Sequence, residues 1–198
     1  MLKSIFAAAM LGTIALAGCT QDEGRDSEAK ARSSNVTRPE TRVDPVPQEE
    51  PAVARSEWEA VNEKARSVTG NLRVSLARGV RGGPLIFAFA NGITIEAQGY
   101  EVVPADSRSG VGGQSFAAVV GGDPRVDAYL YRVMSENVSR TAAHGGLCGE
   151  AVATHLAVSE FVDGSGRWVF KIAAFRGEVA PPSGADPVLC DAFSYTAD

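Results

Sequence analysis

Apolar residues alternate with polar or small ones through the larger, C-terminal part of the chain, and this period of two constrains the fold more than any other feature. The alternation begins with Leu72 and Val74, and a wholly apolar run follows at 85–90. The dipeptide Asn91-Gly92 then separates this run from the next alternating stretch. Asn-Gly is the favoured dipeptide of a two-residue type I′ turn. The sequence therefore predicts a β-hairpin centred on Asn91-Gly92.

The C-terminal third continues the same pattern. Asp163-Gly164-Ser165-Gly166 is typical of a hairpin loop between two alternating stretches. The strands predicted here span 151–161, 168–174 and 189–195, with Val152, Leu156 and Val158 facing inward on the first of them.

Two segments in the middle of the chain are harder to interpret. A polar, glycine-rich loop over 104–114 leads into an apolar run over 116–120, which we predict to be a strand. Residues 124–138 have apolar positions at helical spacing, and Asp123-Pro124 could begin a helix. The same segment contains alternating strand formers, so we favour a strand and leave the helix open.

The globular part begins with one predicted helix. Ser56 and Glu59 have the spacing of a capping box, and apolar residues then repeat at helical spacing from Trp58 to Val68. Gly70 stands where a left-handed C-cap is expected. Together these patterns predict a single mainly β domain over 55–198. It would be a small antiparallel barrel or sandwich of about eight strands with one N-terminal helix.

The N-terminus has the pattern of a secretion signal. Lys3 precedes a short apolar run over 5–16, which is shorter than the roughly 20 residues that span a bilayer. The run ends in Leu16-Ala17-Gly18-Cys19, which resembles the lipobox of bacterial lipoproteins. The resemblance implies that 1–18 is a removed signal peptide and that Cys19 carries the lipid anchor.

Residues 19–54 are rich in proline and charge and poor in apolar residues, which is typical of a disordered tether. The resemblance to lipoproteins implies a bacterial cell envelope protein attached to a membrane through its lipid. Thr20 follows the lipidated residue in place of Asp. By the sorting rule of enteric lipoproteins, this favours the outer membrane, facing the periplasm.

The cysteine count supports an oxidising compartment. Of three cysteines, Cys19 is assigned to the anchor, so Cys148 and Cys190 remain. Disulfides persist outside the cytosol, and we expect these two to be bonded to each other.

Charge and motif searches exclude several functions. The formal net charge of −5 without a basic run argues against nucleic acid as a partner. The two histidines, His144 and His155, show no metal-ligand spacing with cysteine or carboxylate residues, so we expect neither a metal nor a cofactor. The sequence at 113–117 lacks the last glycine of a nucleophile elbow. The carboxylates Glu150, Glu160 and Asp163 are interpreted as solvated surface charges, so no catalytic residue is predicted.

One loop bears a family resemblance. Ser109-Gly110-Val111-Gly112-Gly113-Gln114-Ser115-Phe116 is similar to the Ser-Gly-x-Gly-x-x-Tyr loop of periplasmic, membrane-bound inhibitors of C-type lysozyme. The loop here has one extra residue, and Phe116 replaces the tyrosine. The resemblance implies that Ser109 would meet the catalytic carboxylates of a lysozyme.

The sequence thus favours a non-enzymatic envelope lipoprotein that binds a protein, a glycan or a small apolar ligand. The alternative is an inhibitor of C-type lysozyme. The residues of a possible binding loop are Ser109, Gly110, Gly112 and Ser115.

Overall fold

The computed structural model describes residues 52–53, 55, 57–79, 82–182 and 188–198. The predicted signal peptide, the lipidation site Cys19, most of the tether and the capping position Ser56 lie outside the described residues. Among the helices of the described part, none is long and apolar enough to cross a membrane.

The described chain forms one antiparallel sheet of eight strands. Each strand from β2 onward pairs with the next along the chain, and β8 pairs with β1. Trp58 and Leu72 join the two edges, because the amide of each donates to the carbonyl of the other, at 2.7 and 2.9 Å. The result is a nearly closed up-and-down barrel, so the predicted fold class is confirmed. The strands are β1 Glu59–Ala60, β2 Leu72–Leu76, β3 Leu85–Phe89, β4 Ile93–Val103, β5 Ala128–Val138, β6 His155–Val162, β7 Trp168–Arg176 and β8 Val188–Ala197.

The N-terminal helix is shorter than predicted. Glu59 and Ala60 are in β1, and the helical segment is a π-helix over Ala65–Thr69. It ends at Gly70, as expected, but Gly70 has φ 65° and ψ −159° and so does not adopt the left-handed helical conformation predicted for the cap. The prediction of helix from Trp58 onward was wrong because the backbone there completes the barrel. The backbone hydrogen bonds to two neighbouring strands stabilise this segment more than a helix cap would, since a cap contributes about 1 kcal/mol.

The predicted hairpin around Asn91-Gly92 is confirmed, but its turn type is different. β3 ends at Phe89 and β4 begins at Ile93, which leaves a three-residue loop. The amide of Gly92 donates to the carbonyl of Phe89 at 3.0 Å, and Gly92 alone in the loop has a positive φ, of 94°. This is the geometry of a type I turn followed by a glycine bulge, which three-residue hairpin loops commonly adopt.

One predicted strand is a helix, and one ambiguous segment is a strand. Phe116–Val120 forms the short helix α1, in which the Ser115 hydroxyl accepts from the Ala118 amide and Gly121 adopts the left-handed C-cap conformation. Its two caps, rather than its strand-forming side chains, determine its conformation. The favoured strand at 124–138 is confirmed as β5.

Aromatic side chains fill the barrel interior. The rings of Trp58 and Phe170 are 5.0 Å apart, and those of Phe89 and Tyr195 are 6.3 Å apart. Inward-facing residues of β6 and β7 alternate along each strand with outward-facing ones. On the outside, α1 packs against β6, β7 and β8 and forms a second core with residues of β4 and β5. This outer core contains Val103, Phe116, Val119, Val120, Ala128, Leu130, Ala157, Ala173 and Phe175.

The predicted C-terminal hairpin is also present. The amide of Asp163 donates to the carbonyl of Arg167 at 2.9 Å, and this turn connects β6 to β7. Of the residues predicted to face inward, Leu156 and Val158 are in the interior core. Val152 precedes β6 and is 62% exposed, so that part of the prediction was wrong.

Candidate functional site

The predicted binding loop is held together by its own polar groups. Ser109 is fully buried, and its hydroxyl donates to the carbonyl of Gln114 at 2.9 Å and accepts from the amide of Val111 at 3.2 Å. Ser115 caps α1, and Gly110 and Gly112 have positive φ values that allow the tight turn. The two serines thus serve the loop itself in this conformation, and Ser109 offers no surface to a partner.

The predicted disulfide is present at one end of the barrel. Cys148 and Cys190 are bonded, with their Cα atoms 5.0 Å apart and a sequence separation of 42. Cys190 lies near the start of β8, and Cys148 lies in the connection between β5 and β6. The bond therefore fixes a long surface connection to the edge of the barrel.

A groove of about 380 Å³ runs beside this bond, and we call it the disulfide groove. It combines two cationic side chains and a histidine with one acidic side chain and several apolar ones. Lys64 and Asp191 form an ion pair of 2.7 Å across it, and that contact raises the pKa of Lys64. The lining residues are Lys64, Val68, His144, Gly146, Leu147, Cys148, Gly149, Arg176, Leu189, Cys190, Asp191 and Phe193.

A carboxylate on β5 fixes the wall of this groove. The two oxygens of Glu136 accept hydrogen bonds from the amides of Leu147 and Ala153, each at 2.8 Å. Gly146 lies so close to this carboxylate that a Cβ atom there would collide with Oε1 of Glu136. The 146–153 segment is therefore held by one disulfide and two charge-assisted hydrogen bonds.

The opposite end of the barrel is covered by the chain that precedes β1. Arg55 of this segment lies over Trp168 at the start of β7, whereas the disulfide groove lies at the end of β7 and the start of β8. Ala52 is 2% exposed and packs in the interior core, and its carbonyl accepts from the Trp58 indole at 3.1 Å. The folded part thus includes Ala52 and Val53, which the sequence pattern had assigned to the tether.

A buried carboxylate lies inside this end of the barrel. Glu160 is 1% exposed and shares the inward face of β6 with Val158, directly opposite Phe170 of β7. Its interpretation as a solvated surface charge was therefore wrong. Within the described part of the chain, neither of its carboxylate oxygens has a hydrogen-bond partner. Burial raises the pKa of Glu160 to about 8, and the positive charge of Arg55 opposes that rise.

Aromatic and cationic groups surround this carboxylate. The Arg55 guanidinium lies over the Trp168 ring, with Cζ 4.4 Å from the ring centroid. The Arg55 Nε atom is buried and, among the residues described, has no hydrogen-bond partner. Burial raises the pKa values of Tyr129 and Tyr131, and the charge of Glu160 contributes to both shifts. We call these residues the Glu160 cluster: Arg55, Tyr129, Tyr131, Glu160 and Trp168.

The sequence contained a signal for this cluster. Glu160 follows Val158 by two positions on a strand whose inward face had been predicted. The alternation alone places the carboxylate inside the barrel. The position of Arg55 beside Glu160 could not be predicted. Arg55 precedes the predicted helix and lies in a segment without a regular hydrophobic pattern.

The two histidines lie in different environments. His144 is exposed at the disulfide groove. His155 is 5% exposed, its Nδ1 atom is 3.0 Å from the Thr154 hydroxyl, and burial lowers its pKa. No group of three or more His, Cys, Asp or Glu residues that could hold a metal ion occurs in the described ranges.

The comparisons with known proteins return no match. No family model matches the chain, and neither a curated protein nor a solved structure matches it.

Proposed function

We propose that this chain is a membrane-tethered, non-enzymatic binding module of the bacterial cell envelope, and that its partner binds in the disulfide groove. The observation that carries the proposal is the groove itself. It is open, it has a volume of about 380 Å³, and it combines apolar walls with cationic side chains. Concave sites of this size with a few placed polar groups are the usual form of binding sites.

The rigidity of the groove supports this proposal. Its walls are connected by the Cys148–Cys190 bond, by the hydrogen bonds to Glu136 and by the ion pair of Lys64 with Asp191. A surface that is already ordered loses less conformational entropy on binding than a mobile one. The groove is therefore preorganised for a partner.

The aromatic core of the barrel around Phe170 is closely packed. The centroid of the Phe170 ring is 5.0 Å from that of Trp58 and 6.5 Å from that of Phe87. A small apolar ligand, which the sequence left open, would have to displace this packed core. Recognition at the outer groove avoids that loss.

The lining residues favour an acidic segment of an envelope protein as the partner. Lys64, His144 and Arg176 are exposed along the groove, and Asp191 is the only acidic residue among the described residues that line it. Phe193 is the only aromatic residue in that lining and is fully buried, so the described groove presents no ring face on which a sugar could stack. Carboxylates of the partner would interact with the cations, and apolar side chains would pack on Val68 and Leu189.

The position of the groove agrees with tethering. The chain enters the barrel at the Glu160 end, and the groove lies at the other end. If Cys19 is lipidated, the groove can face away from the membrane. Cys19→Ser should then abolish acyl labelling and leave unprocessed precursor in the cell, whereas normal processing of this variant would contradict the lipid anchor.

The binding site is tested by a matched pair of charge reversals. The acylated protein is purified from its own envelope, the protein that co-purifies is identified, and its affinity is measured for each variant. Arg176→Glu in the groove should weaken binding by at least tenfold. Arg108→Glu, an exposed position in the glycine loop, should leave the affinity unchanged. Loss of binding with Arg108→Glu alone would contradict the proposal, as would co-purification of a glycan instead of a protein.

A further inference from the structure

The Glu160 cluster contains two complementary polar groups that do not meet. The Glu160 oxygens and the Arg55 Nε atom are buried, and each is without a hydrogen-bond partner among the described residues. A buried polar group that lacks a partner destabilises a fold, and such groups are rare. Here a carboxylate and a guanidinium nitrogen are both unsatisfied at one end of one barrel.

The surroundings of the carboxylate are suited to an organic cation. Trp168 already has a guanidinium over its face, at 4.4 Å. Tyr129 and Tyr131 lie on the neighbouring strand, face the same interior, and interact electrostatically with Glu160. An aromatic wall beside a carboxylate is the arrangement that binds guanidinium and ammonium groups most strongly.

Arg55 satisfies this site only in part. It interacts with the aromatic ring, yet it donates no hydrogen bond to either oxygen of Glu160. It belongs to the segment that precedes β1, which is held by burial of Ala52 and by one hydrogen bond from the Trp58 indole. A guanidinium on a smaller, free molecule could reach deeper and donate to the carboxylate.

We propose that the Glu160 cluster is a binding site for a small molecule with an alkylguanidinium group, and that Arg55 occupies this site as an intramolecular substitute for that ligand. The ligand is a free small molecule, because Glu160 is 1% exposed and a large partner could not reach it. The site is independent of the disulfide groove, which lies at the opposite end of the barrel.

Tryptophan fluorescence of the full chain provides a direct test. The chain has two tryptophans, and both Trp58 and Trp168 lie at this end of the barrel. The probe is ethylguanidinium, and the control is ethylurea, a neutral molecule of nearly the same shape. We expect Arg55→Ala to bind ethylguanidinium saturably and at least tenfold more tightly than the unsubstituted chain. Ethylurea should bind to neither protein.

Further substitutions in the Arg55→Ala background identify the groups that bind the cation. With binding measured at about pH 9, where Glu160 is ionised, Glu160→Gln keeps the shape of the side chain and removes its charge, and it should weaken binding by at least tenfold. Trp168→Leu should have a similar effect and serves if the Glu160 variant does not fold, as judged by thermal unfolding. Arg73→Ala, which removes an exposed arginine on β2, is the matched control for Arg55→Ala and should leave binding unchanged.

Three results would overturn the proposal. The first is that Arg55→Ala binds no more tightly than the unsubstituted chain. The second is that folded Glu160→Gln binds as well as its parent. The third is that ethylurea binds as well as ethylguanidinium, which would mean that the site selects shape and not charge.

Discussion

At the disulfide end of the barrel, each buried polar group discussed above has a partner, whereas at the Glu160 end several lack one. At the disulfide end, the Glu136 carboxylate accepts hydrogen bonds from two backbone amides. Glu160 and the Arg55 Nε atom have no partner within the described chain. The first end is thus built for rigidity, and the second retains unsatisfied groups that a ligand could satisfy.

The difference also concerns how each end is closed. A covalent bond and charge-assisted hydrogen bonds fix the connection at the disulfide end. Burial of Ala52, one indole hydrogen bond and a cation–π contact hold the segment at the other end. We therefore expect the disulfide end to dominate stability and the Glu160 end to dominate the response to pH and to ligands.

The largest expected effect is that of the disulfide. The Cys148–Cys190 bond has a sequence separation of 42. In the chain-entropy model a loop of this length contributes about 4 kcal/mol to the free energy of unfolding. The double variant Cys148→Ser, Cys190→Ser should lose roughly that amount in urea-induced unfolding. Reductant should destabilise the unsubstituted chain and leave this variant unchanged; equal sensitivity of the two proteins would contradict the prediction.

The next effect is a pH dependence that originates at Glu160. Its pKa is about 8 in the folded chain, against an ordinary value of 4.5. Between these values the folded state binds a proton that the unfolded state has lost, so stability decreases as pH rises. The groups that face Glu160 from neighbouring elements are Arg55, Tyr129 and Tyr131. Because burial raises the pKa values of Tyr129 and Tyr131 above their ordinary value of 10, we assign the pH dependence over this range to Glu160.

The size of this effect follows from the shift. The free energy of unfolding should fall by about 2–4 kcal/mol between pH 5 and pH 8. Glu160→Gln should remove most of that slope, while Glu150→Gln, at an exposed position, should leave it intact. A slope that persists in Glu160→Gln would show that another group is responsible.

A third prediction concerns the wall of the disulfide groove. Glu136→Ala would leave the amides of Leu147 and Ala153 without their acceptor, and we expect a loss of about 2 kcal/mol. Amide hydrogen exchange at these two positions should become faster. Asn137→Ala, at the adjacent exposed position, should change neither quantity. Unchanged exchange at both amides in Glu136→Ala would mean that the disulfide alone fixes the segment.

The sequence was most informative where one local pattern decided the structure. Alternation and turn residues predicted the hairpin centred on Asn91-Gly92 and the hairpin at Asp163. Both could be predicted because strand period and turn chemistry are local properties. The disulfide followed from the cysteine count. The barrel ends were predicted less well. Trp58 joins β2 across the closure of the barrel, and that pairing depends on residues far apart in the chain.

Two predictions near the candidate sites, those for α1 and for Glu160, differ from the structure for separate physical reasons. α1 was predicted to be a strand because its side chains favour strands, but the Ser115 cap and Gly121 at its ends make it a helix. Glu160 was assigned to the surface because a carboxylate is rarely buried without a partner. Such exceptions to a general rule occur mainly at functional sites, and a rule based on residue type predicts them least well.

The prediction with the smallest expected effect distinguishes the proposed binding module from the alternative function, a lysozyme inhibitor. The glycine loop belongs to the connection between β4 and β5, where Ser109 is fully buried and hydrogen-bonded within the loop. A serine in this position cannot reach the catalytic carboxylates of a lysozyme unless the loop opens. The purified full chain should therefore leave the activity of C-type lysozyme unchanged at micromolar concentration. Inhibition that is lost in Ser109→Ala but retained in Arg176→Glu would contradict this prediction. The functional surface would then be the glycine loop and not the disulfide groove.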